Sequence, residues 1–295
     1  ATRVNAQGLV ENVQILSSDL VSNGNFSQEG AQEVSNGSFT NGSTDWTIQN
    51  GTVNITDKAE FIGSGIMWQD ALNINKSYKV TYEVISIVGS PNFNLYNGSW
   101  FSAPSTVGTH TVYMTNNSGV PRFYLRNASS DEITIDNISV KEVGQDWTLG
   151  GTATIGDNLV NINSPSGENA EVYQSSVLVI GRKYKLDCTL NKTSGDTQFV
   201  NGGTFILNNG SNVIQFTATD TRVYFKRGAG SVISSITNIS VIEITDDTNL
   251  PRINYEGFSY QDALGSELVT NGDFATDTDW SKGTGWTING GVANV

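Results

Sequence analysis

A chain that repeats its own segments in a fixed order must fold into repeated modules, each burying its own core. Glu33-Val-Ser-Asn-Gly-Ser-Phe39, leading to Trp46-Thr-Ile-Gln-Asn-Gly51, returns as Glu267-Leu-Val-Thr-Asn-Gly-Asp-Phe274 and Trp286-Thr-Ile-Asn-Gly-Gly291. A partial copy, Trp147-Thr-Leu-Gly-Gly151, lies 101 positions after Trp46. Tyr78 in Lys-Ser-Tyr-Lys-Val-Thr-Tyr matches Tyr184 in Arg-Lys-Tyr-Lys-Leu-Asp-Cys at a spacing of 106. Asn137-Ile-Ser-Val140 matches Asn238-Ile-Ser-Val241, again at 101. Three landmarks in one order at near-constant spacing predict a duplicated domain. The last copy stops at Val295, soon after its tryptophan, so the chain reads as a fragment of something longer.

Each repeat is written in strands. In Tyr78-Lys-Val-Thr-Tyr-Glu-Val84 apolar residues fall on alternate positions, the period of a half-buried strand. Tyr78, Val80, Tyr82 and Val84 are predicted inside, with Tyr184, Leu186, Cys188 and Leu190 as their counterparts. The closing strands are Ile133-Thr-Ile-Asp-Asn-Ile-Ser-Val140 and Ile236-Thr-Asn-Ile-Ser-Val-Ile-Glu-Ile244, and Asn/Gly/Ser turns separate short strands between. About eight strands in roughly a hundred residues, without helices, predict an all-β fold of tandem two-sheet sandwiches joined by extended linkers.

Composition narrows the function. A net charge of −13 and a pI near 4.4 repel phosphates, which disfavours nucleic acid and anionic membranes as partners. No apolar run approaches transmembrane length, so membrane insertion is not expected. The single Cys188 cannot form an internal disulfide and is predicted to be inert packing. The only histidine, His110, sits in an alternating strand and is expected to face solvent, with no nucleophile-elbow sequence near it. Zinc-type His/Cys clusters are absent from the sequence, and the carboxylates are scattered through turns and strand ends. The chain is read as no enzyme.

Taken together, the Asn-Gly-Asp/Ser-Phe opening, the Trp-Thr-Ile strand, the middles from Gln69 to Tyr78 and Gln174 to Tyr184, and the Ile-Asp-Asn-Ile-Ser-Val close resemble the carbohydrate-binding jelly rolls found beside bacterial glycanases. The likeness spans 33–143, then 146–244 without its opening strand, then 267–295 as an opening only. It implies jelly-roll sandwiches, non-catalytic glycan binding and a structural calcium. For the calcium, Asp136 occupies the closing-strand position in the first module. The second has Thr237 there, and Thr40 follows Phe39 where the family commonly has glutamate. Separately, Ala1–Val13 and Asn249–Gly257 resemble two halves of a segment found in tail-fibre proteins of tailed bacteriophages, as though the sandwich pair had been inserted between them. That likeness implies a virion-surface, extracellular setting, contacts with other virion proteins and a homo-oligomer, by resemblance a trimer. The expected organisation is a fibre-like segment with linker at 1–32, a first jelly roll at 33–144, and a second at 145–245 lacking its opening strand. A fibre-like linker at 246–266 and a truncated third module at 267–295 follow. The echo of Glu33–Phe39 in Leu20-Val-Ser-Asn-Gly-Asn-Phe26 reads as repeat slippage and a redundant strand.

Sugars present apolar ring faces, so aromatic side chains in polar, turn-rich contexts are the residues to seek. In the first module these are Trp68, Tyr96, Trp100 and Phe101, with Arg126 in support. Trp100 is the leading platform residue because Asn97-Gly-Ser-Trp reads as a hairpin tip. In the second module they are Tyr173, Tyr224 and Arg227. Trp46 and Trp147 begin a strand in each copy and are assigned to the core. The function that fits is a virion-surface or tail-fibre protein whose modules bind host-surface or environmental polysaccharide. The rival is a purely structural appendage without ligand.

Overall fold

The structure, a computed structural model, describes residues 2–4, 10–12, 15–245 and 268–295, and every regular element among them is a β-strand. The described residues fall in two compact units, Ile15–Thr245 and the described parts of 1–14 and 246–295. Of the fibre-like segments, only a hairpin is described, β1 (Thr2–Val4) antiparallel to β2 (Val10–Asn12). The 246–266 linker and Asn249–Gly257 lie outside the described residues.

The large unit opens with β3 (Ile15–Leu16). The first module comprises β4 (Glu29–Gln32), β5 (Thr47–Ile55), β6 (Ala59–Asp70), β7 (Ser77–Val88), β8 (Phe93–Tyr96), β9 (Trp100–Ser102), β10 (Gly108–Thr115), β11 (Arg122–Asn127) and β12 (Glu132–Val143). The second comprises β13 (Thr148–Gly151), β14 (Thr154–Gly156), β15 (Leu159–Ser164), β16 (Ala170–Gln174), β17 (Lys183–Ser194), β18 (Thr197–Val200), β19 (Thr204–Ile206), β20 (Gly210–Thr217), β21 (Val223–Arg227) and β22 (Val232–Thr245).

Both modules are two-layered β-sandwiches of jelly-roll type. In the second, β13-β16-β21-β18-β19 form one sheet and β14-β15-β22-β17-β20 the other. In the first, the corresponding layers are β5-β6-β11-β8-β9 and β10-β7-β12 with β4. Here β6 bends to serve both, pairing with β12 through Ala59–Ile62 and with β11 through Gly65–Asp70. At that corner Gly51 has φ +74°, and a Cβ there would collide with the Ser64 carbonyl, so only glycine fits.

The inward residues are those the alternation predicts. Tyr78, Val80, Tyr82 and Val84 are buried, as are Tyr184, Leu186, Cys188 and Leu190. Burial pushes the Cys188 thiol up to about 12, consistent with inert packing. Trp46 and Trp147 are buried in their respective cores.

The second module does not lack its opening. β3 pairs with β22 as β4 pairs with β12, and the turn-rich segment Leu20–Phe26 that follows β3 docks on the second module from before the first module in the chain. Leu20 N donates to Val241 O just as Glu33 N donates to Val140 O, both at 2.8 Å. Phe26 packs on Trp147 at 5.2 Å between ring centroids, and Phe39 on Trp46 at 5.5 Å. Trp147 Nε1 donates to Ser22 O and Asn23 O, as Trp46 Nε1 donates to Asn36 O. The buried Gln174 and Gln69 act as clamps: each accepts from one opening-segment amide, Ser22 N or Ser35 N, and returns a bond to the same residue's carbonyl. The echo at Leu20–Phe26 is therefore neither slippage nor redundant. The first module, β4 included, is inserted between the opening segment and the body of the second, which moves the expected boundaries at 32 and 145.

Why the repeat is spelled Asn-Gly-x-Phe follows from the docking. The closing strand bulges at Asn137 (φ +51°) and Asn238 (φ +53°), conformations asparagine tolerates. The next amides, Ile138 N and Ile239 N, donate to Gly37 O and Gly24 O at 2.9 Å. A Cβ on either glycine would strike the Ile138 or Ile239 carbonyl. Phe26, Phe39 and Phe274 all take positive φ (56°, 51° and 56°), a conformation rare for a bulky side chain and held here by the tryptophan.

The modules share a packed boundary inside the large unit. Tyr113 of β10 packs against the second core, and Gly156 lies beside its ring.

In the small unit, β23 (Thr287–Asn289) pairs with β24 (Val292–Asn294). Its opening motif places Trp280, not Trp286, on Phe274 at 5.2 Å, with Trp280 Nε1 donating to Asn271 O. The sequence match had set Trp286 opposite Trp46. The ring contact has moved six residues upstream, while Trp286 keeps its place ahead of the strand.

Candidate functional site

The sheet β5-β6-β11-β8-β9 turns one face of each strand outward, and registration places aromatic residues in a single row across it. Thr47 lies opposite Trp68, and Trp68 opposite Tyr124. The β11–β8 register, Leu125 against Leu95, carries on to bring Tyr124 beside Tyr96, and Tyr96 lies opposite Trp100. Ring centroids are 6.1 Å apart for Trp68–Tyr124, 5.4 Å for Tyr124–Tyr96 and 5.0 Å for Tyr96–Trp100. All four rings are half-buried. With strands about 4.8 Å apart, the row runs for roughly 14 Å perpendicular to them.

Two guanidiniums flank the row. Arg122 lies 3.9 Å above the Trp68 ring, donating from Nε to Asp70 Oδ1 (3.0 Å) and from Nη1 to the Tyr124 hydroxyl (3.2 Å). Arg126 lies 4.2 Å above the Trp100 ring and donates from Nη2 to Asn94 Oδ1 (2.8 Å). Its Nε is buried and has no hydrogen-bond partner among the described residues. Each stack of this kind contributes about 0.5–2 kcal/mol, the upper end when shielded from water.

Of the residues expected from sequence, Trp68, Tyr96, Trp100 and Arg126 come together here. Trp100 is the first residue of β9, directly after the Asn97–Ser99 turn. Phe101 instead turns inward and packs on the core. Tyr124, Arg122 and Asn94 were missed. A period-two reading of Arg122-Phe-Tyr-Leu-Arg126 would have found the first two, since Phe123 and Leu125 are the buried alternates.

The second module carries a reduced version. Thr148, Tyr173 and Tyr224 occupy the positions of Thr47, Trp68 and Tyr124. Then Val200 and Thr204 stand where the first module has Tyr96 and Trp100. Tyr173 and Tyr224 meet at 6.2 Å, and Arg222 lies 5.5 and 4.9 Å from their rings while paired with Asp220. The Tyr224 hydroxyl donates to Glu171 Oε2, and its pKa is pushed up to about 12, first by burial and then by that carboxylate. Arg227 is elsewhere, bonded to Gly228 O and Gly230 O; Arg222 takes the role expected of it.

Asp136 does not gather a set of donors. Its Oδ1 accepts from the Asn137 amide, and the Asn137 side chain bonds Glu83. Among the described residues no group of three or more His, Cys, Asp or Glu side chains could hold a metal. Calcium takes six to eight oxygens, of which the Asp136 side chain supplies one carboxylate. His110 is half-buried rather than solvent-facing: its Nε2 bonds the Thr106 carbonyl and its ring lies 5.6 Å from Tyr82. A cavity of about 640 Å³ opens at the junction of the modules, bordered by Asn97, Glu142 and Thr148 and set apart from the rings of the row.

No protein-family model matches the chain, and no curated protein sequence matches it. Among solved structures, it is similar to the CBM22-1–CBM22-2 tandem domain of Xyn10C from Paenibacillus barcinonensis, at 14% identity over 74% of this chain and 99% of that one, TM-score 0.31. It is also similar to the M60 catalytic domain with CBM51-1 and CBM51-2 of ZmpB from Clostridium perfringens, at 7% identity over 68% of this chain and 38% of that one, TM-score 0.25. A third is the ANX1 ectodomain of Arabidopsis thaliana, at 8% identity over 80% and 97%, TM-score 0.28. The fold assignment rests on the strand pairing described above.

Proposed function

We propose that this chain is a non-catalytic carbohydrate-binding protein whose first module holds a polysaccharide across the Trp68–Tyr124–Tyr96–Trp100 row. The observation that carries the reading is the row itself: four half-exposed rings in register on one sheet face, edged by Asn94, Asp70 and two arginines. Apolar ring faces with hydrogen-bonding groups at their margins match the amphipathic faces of a sugar chain. Tyr173 and Tyr224 give the second module a shorter contact of the same kind. The ligand would be host-surface or environmental polysaccharide. The fibre resemblance of the flanks supports a virion-surface setting with other virion proteins and a homo-oligomer, a trimer by that resemblance, in which several weak sites act by avidity.

A glycan array probed with the full chain tests this. Specific binding lost on Trp100→Ala or Tyr124→Ala supports it, and no binding, or binding indifferent to both, removes it. One observation favours the structural alternative: Trp68 and Trp100 each already carry a guanidinium on one ring face. On that reading the row stiffens an appendage module and has no ligand.

A further inference from the structure

Among the arginines of 15–245, three are paired with acids: Arg122 with Asp70, Arg182 with Glu243 and Arg222 with Asp220. Arg227 caps a strand end through backbone carbonyls. Arg126 is different. It is half-buried within the aromatic row, it bonds one neutral amide oxygen, and its Nε is buried without a partner. Leaving part of a guanidinium desolvated and unpaired costs free energy that an acidic neighbour would recover. In a chain of net charge −13, carboxylates to neutralise it are abundant, yet among the described residues none forms an ion pair with it.

Resting on the carbohydrate-binding reading, we propose that Arg126 makes the first module selective for an anionic saccharide, one whose sugar carries a carboxylate. The Arg126 guanidinium stacks 4.2 Å from the Trp100 ring centroid and is held by a single side-chain hydrogen bond, to Asn94. A guanidinium is a planar fork of N–H donors that matches a planar carboxylate with two parallel hydrogen bonds. The rest of the residue would lie along Tyr96 and Trp100, so one uronic acid unit satisfies both the rings and the charge. The overall negative charge opposes an anion at long range, which puts the attraction on this local contact and makes the site selective rather than generally basic. In the second module Lys226 takes the equivalent register position, a point charge without the fork, and Val200 and Thr204 replace the rings beneath it.

Isothermal titration of the full chain against oligogalacturonides and alginate oligomers, with xylo-, cello- and malto-oligosaccharides as neutral probes and sulfated heparin fragments as a second anion, decides the matter. The expected result is at least tenfold tighter binding of a carboxylated oligomer than of any neutral one. Arg126→Leu should abolish that preference, and Arg126→Lys should recover it only in part, with both variants still unfolding in one cooperative transition above the assay temperature. Neutral and carboxylated oligomers binding equally, sulfated fragments binding tighter than carboxylated ones, or a preference surviving Arg126→Leu overturns the inference and leaves the carbohydrate-binding reading standing. Absence of binding to every probe overturns both.

Discussion

Phe26 and Trp147 pack ring on ring at 5.2 Å although an entire sandwich separates them in the chain. The same contact is made by Phe39 and Trp46 only seven residues apart in the sequence. One module is therefore closed locally, and the other closes around it. Replacing Phe26 with alanine should cost about 3–5 kcal/mol, the usual loss for a buried phenylalanine. Hydrogen exchange should show the loss concentrated in 146–245, with 33–143 protected nearly as in wild type, and Phe39→Ala should reverse the pattern. Equal loosening of both modules by Phe26→Ala would contradict the nested assignment.

The docking glycines offer a comparison within one chain. Gly24→Ala and Gly37→Ala each place a methyl group on the carbonyl of the bulged closing strand, at a cost of about 1–3 kcal/mol. At Gly272 the corresponding Cβ meets only Val269, at 3.5 Å, so Gly272→Ala should leave stability within about 0.5 kcal/mol. Chemical denaturation of the three variants checks the order.

Stability should depend on acid through Glu29. Hydrogen bonds from Lys79 and then Lys141 hold its carboxyl at about 2, below the ordinary value of 4.5. A lowered folded-state pKa stabilises above the ordinary value and is lost as pH falls from there towards 2. The side chain is about a third exposed, so screening limits the effect to about 1 kcal/mol. Glu29→Gln should be less stable than wild type at pH 6, and the gap should close by pH 2.5. A gap that stays constant over that range would show that the two lysines do not tune this carboxyl.

Cys188 should be silent in the folded chain. With its thiol buried and pushed up to about 12, it should resist a disulfide-exchange reagent at pH 8 and react promptly in denaturant. Rapid labelling of the native protein would show that the second core opens readily.

A calcium at Asp136 is proposed on the family resemblance alone, since the aspartate offers one carboxylate already bonded to the Asn137 amide. If the ion is held there, calcium should raise the melting temperature and Asp136→Asn should erase the rise. Identical melting curves with calcium and with chelator would remove the ion.

The inward side of each module could be read from the chain because period-two alternation is local: Tyr78 to Val84 announces its own burial. The opening of the second module could not. Leu20–Phe26 carries the right residues, but its partners, Trp147 and Ile239, lie more than a hundred positions away, and nearness in sequence to Glu33–Phe39 made it look like a stutter. The binding face was half legible. Trp68, Tyr96 and Trp100 stood out by type and context, while Tyr124 hid inside Phe123-Tyr-Leu, which reads as core. Arg222, which shares the Tyr224 face by the same period-two spacing, went unread while Arg227, on the opposite parity, was named.

The pairing of β3 with the end of β22 sets Ile15 directly against Thr245, so the chain enters and leaves the large unit at one point. A pull applied to those two residues would not stretch the sandwiches end to end. It would peel β3 from β22 one hydrogen bond at a time, then strip Leu20–Phe26 from the second module. The first module, reached only beyond Phe26, would bear no load until that segment had come away. Its aromatic row is thereby mechanically insulated: the second module acts as the fuse, and the face carrying Trp68 and Trp100 keeps its shape under tension that has already begun to open its neighbour.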